Sequence, residues 1–296
     1  MAGAPTSRQL AAYIGSCLAV LVIAYLLLDG TVAGQAWSDQ AYLGSALQPV
    51  HASRSVNWAL QWITPPSVAL VCGVLIAVGT VRHRPMVGVT AALGLGLAVV
   101  LAEVLRTVLP HPDLATGFES LMGGKVYQTF PSGHATIATA ATLGLLLVVP
   151  RSWHTPVAVL GTLATALVAA GTVAAHWHRP ADPVGGIALA GAIQATCAWI
   201  LVRRYASRAD GPGAQGGRRW ALPVGCLVAA VLAIAFLLSD VRLARVSMLP
   251  AGVHPGAFPS AIVLIVLASA VGISAYARLL RGVDLCRTTS IGRIGE

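Results

Sequence analysis

The sequence predicts an all-α protein: a polytopic membrane helix bundle of about eight transmembrane helices, six forming a core and two following it. Three observations carry this prediction. First, 56% of the 296 residues are hydrophobic and only 10% are charged, with a mean hydropathy of +0.78. An ordinary globular domain carries roughly a quarter charged residues, so a soluble chain of this composition could not cover its own surface. Second, apolar residues gather into runs close to the ~20 residues that one bilayer crossing needs. Third, basic residues sit in the short segments between those runs, richly in alternate segments. Disorder is excluded because it requires low hydrophobicity and high charge. The 31 Gly and 17 Pro show no triplet period, which excludes a collagen-like chain.

The first run, 11–28, has an 18-residue apolar core. Small residues follow at Ala33, Gly34 and Ala36, but the core exceeds a signal-peptide range, so it reads as a retained span. The second and fourth runs, 66–81 and 135–149, are short and borrow flanking residues. The third, fifth and sixth runs are 86–109, 155–175 and 184–202. These six place a membrane core at 1–205. A flexible basic linker at 206–219 follows, within RRYASRADGPGAQGGRR. Residues 220–296 then hold spans at 220–238 and 258–280 and a tail. With the N-terminus cytoplasmic, 13 of the 19 basic residues fall inside, which predicts eight spans with both termini cytoplasmic in a cell membrane. The net charge of +9 is thereby a matter of topology and membrane lipid headgroups, and no nucleic-acid partner is expected. Four of the five cysteines, Cys17, Cys72, Cys197 and Cys226, lie in apolar runs and Cys286 lies in the tail; none has disulfide or metal-ligand spacing. Nothing in the sequence sets an oligomeric state.

Two polar clusters are not explained by the membrane. The loop between spans three and four ends in Pro131-Ser132-Gly133-His134 at the mouth of span four. The loop between spans five and six reads His176-Trp177-His178-Arg179-Pro180-Ala181-Asp182-Pro183. His134 and His178 are 44 residues apart, enough for one helix inward, a turn at Pro150-Arg151 and one helix back. Both imidazoles therefore return to the outer face, and Arg106 at the end of span three reaches it too. Ionisable groups at this depth are expensive and usually functional. Ser132, Gly133 and His134 open a helix, whose free N–H groups and positive end favour an anion. Arg106 and Lys125, the only lysine, can neutralise phosphate oxygens. Two histidines that titrate near neutrality can share nucleophilic and acid roles, with Asp182 fixing a tautomer.

PSGH followed by His-x-x-x-Asp at this spacing resembles the type 2 phosphatidic acid phosphatase family, which includes vanadium haloperoxidases. The likeness covers roughly residues 66–205, and Arg-over-Lys, Ala-rich usage points to a GC-rich bacterial source. The resemblance implies a membrane phosphatase that hydrolyses a lipid phosphate or diphosphate, phosphatidate-like or polyprenyl-phosphate-like, through a phosphohistidine. His178 would be the nucleophile, Asp182 its orienting partner and His134 the general acid. Ser132 and Gly133 would bind phosphate, and neither metal nor cofactor is implied. The first motif is degenerate. Where the family has Lys, six residues and Arg-Pro, this chain has Arg106 and then His111-Pro112-Asp113. The third motif's Ser-Arg is replaced by Gly171 and Thr172. Lys125 and Arg179 are the cations available to replace the missing arginines. Those absences also define an alternative: a catalytically silent relative that binds or moves a phospholipid. At the level of single residues, Ser132 is also a good N-cap, and Asp182-Pro183 reads as an N-cap with Pro at the first helical position. Glu103 is placed to pair with Arg106 across one turn. His176 is the rival nucleophile but lacks the four-residue offset to Asp182.

Overall fold

The computed structural model describes residues 6–45, 50–110, 114, 129–205, 256–281 and 285. Among them the chain is all helical, with nine α-helices. Helix α1 (Ser7–Ala24) opens on a capping box between Thr6 and Gln9 and runs into a π-helical turn, Tyr25–Asp29. Helices α2 (Val32–Ser45) and α3 (Val50–Leu60) follow. Helices α4 (Pro65–Val81) and α5 (Pro85–Val108) each begin with proline in the first turn, where a missing N–H costs nothing. Ser132 caps α6 (Gly133–Val148), and a short 3-10 turn leads into α7 (His154–Ala174). The remaining helices are α8 (Ala181–Tyr205) and α9 (Ala257–Leu280).

Among the described residues five helical stretches are long and apolar enough to cross a membrane: Ser7–Asp29, Pro85–Val108, Arg151–Ala174, Ala181–Tyr205 and Ala257–Leu280. A sixth arises if Arg54–Leu60 and Pro65–Val81, which meet at a 56° bend, form one broken span. Against the eight expected spans, the fourth run forms a 16-residue helix, below single-span length. The seventh run, 220–238, and the linker 206–219 lie outside the described residues. Helices α2 and α3 fall where the sequence reading assigned no element. The inward face of α2 is partly polar, with Gln35, Ser38 and Asp39 buried, so it lacks the apolar stripe that marks a core helix. Trp58 and Trp62 are exposed around the bend and meet edge to face, 5.8 Å apart.

Helix α8 is the hub. It is buried over most of its length and packs against α1, α5, α6 and α9. Glycine permits two of the closest approaches. A Cβ on Gly79 would lie 2.7 Å from the Gly88 nitrogen, so α4 and α5 cross backbone to backbone. A Cβ on Gly186 would lie 2.6 Å from the Ser132 carbonyl oxygen, which sets α8 directly against the start of α6. The buried Gln194 amide donates to the Ala91 and Ala140 carbonyls, both at 3.1 Å, tying α8 to α5 and α6. Tyr276 of α9 donates to the Gln194 carbonyl at 3.1 Å, and Tyr13 of α1 donates to the Gly272 carbonyl at 3.0 Å. The last helix is thus bonded to both α8 and α1.

Candidate active site

The site begins where α7 ends. The Thr172 carbonyl accepts both the Trp177 and the His178 N–H, at 2.9 and 3.2 Å. His176 takes a left-handed backbone conformation, φ 61°, which turns the chain back at this point. His178 then lies one helical turn ahead of Asp182. Its Nδ1 is 2.9 Å from Asp182 Oδ2, with both residues buried. The same oxygen accepts Thr129 Oγ1 at 2.5 Å and the Arg179 N–H at 3.1 Å. An ionised carboxylate only accepts hydrogen bonds, so Nδ1 carries the proton and Nε2 carries the lone pair. That is the tautomer a nucleophilic imidazole needs.

The second half of the site faces the first through the main chain. The Ser132 N–H donates to the Asp182 carbonyl at 2.9 Å. Ser132 is fully buried, and its Oγ accepts the Ala135 N–H at 3.5 Å, a long capping bond. Arg106 Nη2 lies 3.4 Å from the position a Cβ on Gly133 would take. The guanidinium therefore lies beside the positive end of α6, and Glu103 Oε1 holds it at 2.5 Å. His134 packs edge to face on Trp177, ring centres 5.2 Å apart. Its ring bonds the Leu60 carbonyl, and it lies within electrostatic reach of His178 and Arg106. Two imidazoles, a helix N-terminus and a guanidinium thus gather at one end of the bundle, the set an anionic phosphoryl group requires.

Most of the residues singled out in the sequence meet here. His178, Asp182, His134, Ser132, Gly133 and Arg106 converge, and the Glu103–Arg106 pair forms as anticipated. Lys125 and His111 lie outside the described residues. Arg179 is adjacent, and its Nη2 pairs with Asp39 Oδ1 at 2.9 Å. Asp182 sits inside the first turn of α8, which starts at Ala181, rather than at its N-cap. Its carboxylate accepts the Thr129 hydroxyl and the Arg179 N–H, which lie outside the helix. His176 is engaged by Tyr42. Its ring meets Tyr42 edge to face at 5.2 Å, its carbonyl accepts the Tyr42 hydroxyl at 2.8 Å, and burial lowers its pKa. At Thr172, where the resembling family has arginine, a buried hydroxyl donates to the Ala169 carbonyl. Among the described residues no three His, Cys, Asp or Glu side chains gather as a metal-ligand set.

Sequence reasoning missed Thr129, Asp29 and Asp39. With ten acidic residues in the whole chain, two carboxylates just past the first apolar run were the available signal. Thr129 carries no such mark.

Comparison with known protein families matches residues 85–206 to the PAP2 superfamily. No curated protein and no solved structure matches the chain. The matched segment holds α5 to α8 and every residue of the site just described except Leu60, Tyr42, Asp29 and Asp39.

Proposed function

Residues 85–206 match the PAP2 superfamily, and from that premise we propose that the chain is a membrane phosphatase acting on a lipid phosphate or diphosphate. One observation carries the reading: the buried His178–Asp182 pair lies against the Ser132–His134 helix start. In this reading His178 Nε2 attacks phosphorus in line. The bond from phosphorus to the lipid oxygen breaks, and His134 delivers a proton to that oxygen. Water then cleaves the phosphorus–nitrogen bond, with His134 accepting its proton, and phosphate leaves. Ser132, Gly133, Arg106, Lys125 and Arg179 hold the phosphoryl oxygens. The termini are cytoplasmic and the site opens on the outer face, in keeping with the distribution of basic residues.

The test is a phosphate-release screen of the purified protein. The panel comprises phosphatidate, phosphatidylglycerol phosphate, polyprenyl diphosphate and a phosphorylated polyprenyl sugar, with His178→Ala run alongside. The wild type releases phosphate from at least one lipid and the variant loses that activity; unchanged turnover in the variant overturns the assignment. A second reading draws on Thr172, a hydroxyl where the family carries a cation. It is a catalytically silent relative that binds or moves a phospholipid. In that case no lipid on the panel is hydrolysed, while lipid binding still depends on Arg106 and Ser132.

A further inference from the structure

We propose that Asp39 is a positioning residue for phosphate binding: its ion pair with Arg179 sets the guanidinium beside the nucleophilic loop, in place of the arginines the chain lacks. The inference rests on the phosphatase reading and extends the working site to the N-terminal helices, outside the segment matched to the superfamily.

Four observations support it. The Arg179 Nη2 to Asp39 Oδ1 contact is 2.9 Å, and both residues are more than nine-tenths buried. Removing such a pair from water is expensive and adds little stability over an apolar pair of similar size. Packing among these apolar helices does not call for it. Second, Arg179 follows the nucleophile directly, and its own N–H is bonded to Asp182 Oδ2. The backbone of Arg179 is thereby fixed to the catalytic carboxylate while its side chain is fixed to α2. Third, the ionic cluster has an excess of acid. Asp29 is 1% exposed, and neither of its carboxylate oxygens has a hydrogen-bond partner among the described residues. It interacts electrostatically with Asp182, Arg179 and Asp39. One guanidinium thus lies among three acid side chains, and Asp39 is the one that pairs with it. Fourth, the N-terminal helices touch the site-bearing segments at further points. Tyr42 bonds the His176 carbonyl, and Tyr25 meets Phe130 at 5.5 Å between ring centres. The α1–α2 segment therefore grips both the turn that carries His178 and the one that carries Ser132.

The experiment uses the full-length protein in detergent, as wild type, Asp39→Asn, Asp39→Glu, Arg179→Lys and the double variant Asp39→Asn/Arg179→Lys. Two readouts are taken: kcat and KM on a lipid hydrolysed by the wild type, and binding of inorganic phosphate followed by the shift it causes in thermal unfolding. Asp39→Asn is expected to lower kcat about 100-fold, the scale of a small misplacement of a reacting group. Inorganic phosphate should bind more weakly to it, a loss larger than any fall in ligand-free unfolding temperature caused by the unpaired guanidinium explains. Asp39→Glu recovers part of the loss, and the double variant is no worse than Arg179→Lys alone, because the two residues act as a unit. Additive losses, or a fall in unfolding temperature with phosphate binding and kcat intact, overturn the proposal. If the wild type hydrolyses none of the lipids, the phosphatase reading fails, and the phosphate-binding arm alone then decides the role of Asp39. A wild type that neither hydrolyses nor binds phosphate overturns both.

Discussion

Three donors converge on Asp182 Oδ2: the His178 ring, the Thr129 hydroxyl and the Arg179 amide. A carboxylate so held cannot rotate away from the imidazole, which is how the tautomer is kept. Asp182→Asn would offer His178 an amide that can donate where the carboxylate only accepts. In serine-protease triads the equivalent change costs about 10⁴-fold. Thr129→Val keeps the shape and removes one donor of the three. It is expected to lower kcat about 10-fold with KM little changed, since the lost bond is to a charged group worth roughly 1.5 kcal/mol or more. Steady-state kinetics on any hydrolysed lipid checks this, and equal changes in kcat and KM would argue against it. The two histidines, Ser132 and Asp182 were legible because two short motifs carry them and helix spacing brings the motifs to one face. Thr129 and Asp39 were not, because their roles come from tertiary placement. A threonine ahead of a proline turn and an aspartate on a short outer helix have many structural uses.

At the scale of elements, the contact of α8 with the start of α6 decides whether the two motifs meet. A Cβ on Gly185 would lie 2.4 Å from the Phe130 ring, and one on Gly186 would strike the Ser132 carbonyl at 2.6 Å and Thr136 Oγ1 at 2.8 Å. Gly186→Ala must therefore push the helices apart. Overpacking of this kind destabilises by about 1–3 kcal/mol. The expected outcome is a lower unfolding temperature in detergent together with a large loss of activity. A variant that unfolds and turns over as wild type would show that the helices are not this close. Hydropathy made the long helices visible, and Ser132 marked the start of α6. Helices α2 and α3 were hidden for a physical reason. With Gln35, Ser38 and Asp39 turned inward, α2 shows no continuous apolar run, and Arg54 and Asn57 interrupt α3.

For the molecule as a whole, basic residues and aromatic rings meet at one end of the bundle. Arg84 lies over the Tyr205 ring at 5.4 Å, and Arg203 over Trp199 at 4.9 Å. Arg82 bonds the Val148 carbonyl at 2.7 Å. These contacts gather at the end of the bundle opposite His134 and His178, as expected of a basic cytoplasmic edge. The exposed Ser55 and Ser152 lie toward opposite ends and serve as reporters. In a background with all five cysteines replaced, a membrane-impermeant maleimide added to intact cells should label Ser55→Cys and leave Ser152→Cys unlabelled. The reverse pattern would invert the protein and move the site to the cytoplasm. One link within the site reaches further than its single bond implies. The Ser132 amide rests on the Asp182 carbonyl, and both partners belong to the main chain. Exchanging either side chain leaves it standing. Cations around the site can therefore be traded, guanidinium for ammonium or one helix for another, without altering the distance from the α6 start to the imidazole. Proteins of this kind are better sought by that amide–carbonyl latch, set four residues beyond a histidine, than by counting the arginines around it.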